Sequence, residues 1–64
     1  MADINYPCFI ARLDGRGHWY WTYYLHEDEA IASSEKRYLD KHDCERSIRQ
    51  VQDAEPGPIY FFGL

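Results

Sequence analysis

The sequence predicts an α+β domain of order β-β-β-α-β: a three-stranded antiparallel meander, one helix packed on the sheet and a short C-terminal strand. Three observations carry that prediction. One run, His18 to Leu25, consists almost wholly of β-forming aromatic and β-branched residues. One stretch after Asp40 repeats apolar or small residues at helical spacing. Near the C-terminus lies an apolar tetrad, Ile59-Tyr60-Phe61-Phe62, set off by two prolines.

Tyr6 to Leu13 reads as the first strand, closed by the turn signal Asp14-Gly15-Arg16-Gly17. His18 to Leu25 is the second strand, and the loop length decides which side chains share a face. A two-residue loop would set Cys8, Ile10 and Arg12 beside Trp19, Trp21 and Tyr23. A three-residue loop, Gly15 to Gly17, sets Phe9, Ala11 and Leu13 beside Tyr23, Trp21 and Trp19. The second gathers the more apolar face and puts Gly17 where such a hairpin needs φ > 0. It is therefore the expected register. Its reverse face carries Cys8, Ile10 and Arg12 with Tyr24, Thr22 and Tyr20.

After the polar break His26-Glu27-Asp28-Glu29, Ala30 to Ser34 reads as a short third strand. No glycine marks this loop, so its register stays open. Ile31 joins the tryptophan face only if the loop holds an odd number of residues, which burial favours. Asp40 is a fitting N-cap, with Asp43 where a capping-box acid would sit. Cys44, Ser47, Ile48 and Val51 then form one helical stripe, and Ser47 is small enough to let the helix approach a sheet. Glu45 precedes Arg49 by four residues, the favourable order for an exposed pair. Pro56 and Pro58 stop the helix near Ala54 or Glu55.

The whole chain, residues 1–64, is expected to form a single domain. A chain of this length buries only about 60% of its unfolded surface, so it wants a staple or a partner. Two cysteines permit one bridge at most. With no secretory pattern in Met-Ala-Asp-Ile-Asn-Tyr-Pro and no apolar run near the roughly 18 residues of a membrane span, the expectation is a cytoplasmic protein with free thiols. Seven basic against 11 acidic residues give a net charge of −4, which disfavours nucleic acid as a partner.

The ordered set Asp14…Gly17-His18-Trp19-Tyr20-Trp21, Ile31-Ala32-Ser33-Ser34-Glu35 and Tyr38…Lys41…Cys44-Glu45…Ser47-Ile48…Val51 resembles the YegP-like domain of unknown function. The resemblance runs from about Phe9 to Gln52. It departs at Glu27-Asp28, where the family commonly has Asn-Gly, at one extra residue between Glu35 and Tyr38, and in the loosely matching C-terminal tetrad. It implies a βββαβ unit of a kind that relatives carry twice, intertwined. A single unit then implies a homodimer, with the C-terminal strand exchanged between copies. The family brings no catalytic residues.

Candidate chemistry is thin. His18, His26, His42, Cys8 and Cys44 are scattered singly, without the tight spacing of a structural zinc site, and Cys44 sits on the buried stripe, so no metal and no cofactor is expected. Ser33-Ser34-Glu35 could orient a ligand, yet serines at a strand end ordinarily bond nearby backbone. The sharpest candidate surface is Ile10, Arg12, Tyr20 and Tyr24, where Arg12 opposite Tyr20 could stack on it, joined by Ile59 and Phe61 of the last strand as an interface or ligand face. The expected function is a homodimeric, non-enzymatic binding or structural domain. The alternatives are a nucleic-acid-binding module using the aromatic face, and a small enzyme with Ser34, Glu35 or His18 in a cleft between subunits.

Overall fold

The computed structural model describes residues 4–63; the N-terminal reading of Met1 to Asp3, and Leu64, lie outside them. The elements are β1 (Cys8–Leu13), β2 (Trp19–His26), β3 (Glu29–Ser33), α1 (Lys41–Gln52) and β4 (Ile59–Phe62). They form one four-stranded sheet of order β3-β2-β1-β4. The fold is α+β, a three-stranded meander to which the short last strand adds in parallel beside β1.

The first hairpin has the three-residue loop. Phe9 pairs with Tyr23, Ala11 with Trp21 and Leu13 with Trp19, and Gly17 takes φ +82°. Asp14 holds the turn: its carboxylate accepts the backbone N–H of both Arg16 and His18 at 2.9 Å. Those bonds, the one from His18 foremost, draw its pKa below the usual carboxylate value. β1 begins at Cys8 rather than Tyr6, since Pro7 has no N–H to give a ladder.

The second hairpin corrects an expectation. His26 pairs with Glu29 across the two-residue turn Glu27-Asp28, an even loop, and the ladder then slips twice. Tyr24 faces Ala30 while its neighbour Tyr23 faces Ala32, so Ile31 is the extra residue of a bulge. Ala32 lies across from Tyr23, and Ile31, expected on the tryptophan face, is 49% exposed.

α1 begins after Asp40, which has extended N-cap angles but makes no side-chain cap bond. Asp43 pairs with Arg46 at 3.5 Å instead of closing a capping box. The helix ends at Gln52, two residues short of the expected stop. Its stripe seats Cys44 and Ile48, both fully buried, on Phe9, Ala11, Trp21 and Tyr23, with Trp19, Tyr38, Val51, Ile59 and Phe61 packed around them. Phe9 meets the Trp21 ring edge-on at 5.5 Å and lies 4.6 Å from Tyr23. Aromatic pairs in this arrangement contribute about 0.5–1.5 kcal/mol beyond their buried area.

Candidate functional site

With α1 on one face of the sheet, the opposite face is where outward residues of β1, β2 and β4 gather. Alternation along each strand puts Cys8, Ile10 and Arg12 there with Tyr20, Thr22 and Tyr24. Ile10 pairs with Tyr60 and Arg12 with Phe62 in the parallel ladder, so Tyr60 and Phe62 complete this face. Ile59 and Phe61 do not belong to it: they oppose Phe9 and Ala11 and pack into the core under the helix. The parity of β4 depends on its partner and on its direction, and neither is readable from the tetrad alone.

The outer face is not uniformly bare. Cys8 is fully buried and Ile10 is 4% exposed. The segment before β1 covers them: Tyr6 meets the Tyr24 ring edge-on at 6.5 Å, and the Asn5 backbone N–H donates to the Tyr60 hydroxyl at 3.1 Å. Beside that strap lies a groove of about 340 Å³ lined by Ile4, Tyr6, Ile10, Arg12, Tyr24, Glu27 and Phe62. Three of its lining residues, Ile10, Arg12 and Tyr24, were singled out from the sequence. Ile4, Tyr6, Glu27 and Phe62 were not: a strap folding back over a sheet leaves no periodic signal, Glu27 sits in a turn, and the parity of β4 is not readable from the tetrad.

Arg12 stands across from Tyr20 as the register requires, yet its guanidinium turns away and donates to the Tyr24 hydroxyl at 3.3 Å. The cation stacked on Tyr20 is Arg37, whose guanidinium carbon lies 4.0 Å from the ring centre. Arg37 also approaches Asp14 at 3.8 Å, so the connection after β3 is tied to the first hairpin.

The residues proposed for catalysis do not converge. Ser34 is spent on structure: its hydroxyl accepts the Trp21 backbone N–H and donates to the Lys36 carbonyl, both at 3.1 Å. Glu35 is exposed, and His18 enters through its backbone N–H to Asp14. Among the described residues, no three of His, Cys, Asp and Glu come close enough to hold a metal ion. Cys8 and Cys44 are free, one on the outer face and one under the helix, with the sheet between them. Burial pushes both thiols up, Cys44 to about 11, which keeps them protonated and poor nucleophiles at neutral pH.

A second, more polar depression lies beside the helix, lined by Lys36, Tyr38, Asp43, Arg46, Ser47 and Gln50. The sequence marks Ser47 by its small size alone. The Ser47 hydroxyl accepts the Trp21 indole N–H at 3.1 Å and the Tyr38 hydroxyl at 2.9 Å. No helix among the described residues is long and apolar enough to cross a membrane. A comparison with protein-family models found no match, and searches of curated proteins and of solved structures found none either.

Proposed function

We propose that this chain is a non-catalytic binding or structural domain that works as a homodimer in a reducing, cytoplasmic compartment, with β4 carrying the association. The observation that bears most weight is the contrast between the two sheet edges. β3 carries a bulge at Ile31, pairs through a second irregularity whose extra residue is Leu25 of β2, and starts on Glu29; a bulge and a charge on an edge strand discourage pairing. β4 is short but regular and apolar, with no bulge and no charged residue in it. The Phe9 N–H donates to the Pro58 carbonyl at 2.9 Å, and in a parallel ladder this turns the N–H and C=O of Ile59 and Phe61 toward the free edge. A twofold pairing of β4 with its copy would satisfy them and extend both sheets into one.

The small size, the helix on only one face and the resemblance to an intertwined YegP-like pair support the same reading. Each chain seats β4 on its own β1, so edge addition needs no exchange; exchange would reuse the same β1–β4 contacts between copies. Two buried thiols on opposite sides of a sheet suit a reducing compartment. Light scattering coupled to size exclusion tests the proposal. The expected mass is twice the 7.7 kDa of one chain. A synthetic chain with N-methylated Phe61, which loses one free-edge donor but keeps its ring in the core, should shift toward monomer. A folded, monodisperse monomer of the unmodified chain at micromolar concentration defeats the proposal.

A further inference from the structure

Arg12 differs from the other arginines that have partners. Arg37, Arg46 and Arg49 each pair with a carboxylate, at 3.8, 3.5 and 2.7 Å. Arg12 is half-buried, and among the described residues its guanidinium has no carboxylate within the same reach; its one side-chain bond is the long contact to the neutral Tyr24 hydroxyl. A partly desolvated guanidinium favours an anion that can take two of its parallel N–H donors.

What surrounds it narrows the anion. Tyr6, Tyr24 and Phe62 present aromatic surface to the groove, with Ile10 as its floor, and Phe62 is 42% exposed. The volume of about 340 Å³ lies at the small end of ligand pockets. Glu27 lines the same groove, and its negative charge opposes a ligand carrying more than one. Burial holds the Tyr6 hydroxyl above its ordinary pKa, so it stays neutral and able to donate in the groove it lines.

We propose that this groove binds a small planar aromatic monocarboxylate, its ring against Tyr6, Tyr24 and Phe62 over Ile10 and its carboxylate on Arg12. The proposal deepens the binding reading above and rests on it only for the use of this face; the groove is complete within one chain and does not need the dimer.

Naphthoate and its neutral isostere naphthamide are the probes, titrated into isotope-labelled full-length protein and followed by backbone amide shifts. Naphthoate is expected to shift the amides of Tyr6, Arg12, Tyr24 and Phe62 and to bind at least about tenfold more tightly than the amide. Arg12→Gln should erase that preference, Arg12→Lys should keep part of it, and Phe62→Ala should weaken acid and amide alike. The native shift pattern of each variant verifies its fold, and the acid–amide comparison on the unaltered chain stands even if Arg12→Gln does not fold. The proposal is overturned if millimolar naphthoate moves no groove amide, or if acid and amide bind equally. Groove shifts that follow protein concentration rather than naphthoate also overturn it, since a second copy then fills the groove. Mass by light scattering reads the dimer separately, so either idea can fail alone.

Discussion

Ser47 reads in the sequence as a gap in an apolar stripe, and its size was its expected merit. In the folded chain its hydroxyl is the acceptor for two aromatic donors, the Trp21 indole and the Tyr38 hydroxyl. Removing it leaves the Trp21 N–H inside a nearly buried residue without a partner. Ser47→Ala is expected to cost about 1–2 kcal/mol in urea unfolding, although alanine is the better helix former. An unchanged or raised midpoint would show that water replaces the hydroxyl at no cost. Gly57 is the other residue whose role appears only on folding. A Cβ built there would stand 2.6 Å from the Pro7 carbonyl oxygen and 3.2 Å from the Cys8 Cα, at φ +156°. Gly57→Ala should destabilise by roughly 1–3 kcal/mol, read as a lowered thermal midpoint. Nothing in Pro-Gly-Pro announces that the strap before β1 passes so near.

At the scale of elements, local signals located the strands and the helix, but not how they join. Glycine at a position needing φ > 0, flanked by alternating aromatics, was enough to set the first hairpin residue for residue. Glu27-Asp28 carries no such constraint. That ladder is set instead by tertiary fit, which places the small Ala32 across from Tyr23 and expels Ile31. The helix start shows the same division. Asp40 occupies the cap position, yet its carboxylate bonds nothing in the first turn. Asp40→Ala is therefore expected to cost under about 0.5 kcal/mol, well below the ~1 kcal/mol of a working cap. A loss of a full kcal/mol or more in chemical unfolding would mean that the cap forms in solution. The Glu45–Arg49 pair, at 2.7 Å, is exposed and contributes only a few tenths of a kcal/mol.

At the scale of the molecule, the buried acids among the described residues are thiols and phenols rather than carboxylates, and that shapes the response to pH. Burial raises Cys44 from 9.0 to about 11 and raises Cys8, Tyr6 and Tyr23 in the same direction. The unfolded chain therefore ionises first as pH climbs. The stabilisation is present in full below the unfolded value of 9.0 and is lost as pH rises through about 11 for Cys44. Stability should fall across that alkaline window, and Cys44→Ala should flatten the fall while lowering stability at neutral pH through the cavity it leaves. A pH-independent unfolding midpoint across the window would contradict the burial of these groups.

The sequence by itself determined the element order, the register of the first hairpin, the division of the aromatic strand into an inner and an outer face, and the stripe of Cys44, Ile48 and Val51. Each of these follows from periodicity or from a glycine's backbone freedom, which act within a few residues. Only the tertiary structure decided that β4 lies parallel to β1, so that Tyr60 and Phe62 rather than Ile59 and Phe61 face outward. It also decided that Tyr6 folds over the sheet and that Arg12 turns from Tyr20 to Tyr24. These contacts join residues distant in the chain, or choose among rotamers of one long side chain. Neither choice leaves a trace in local pattern, because its energy comes from what the rest of the chain brings alongside.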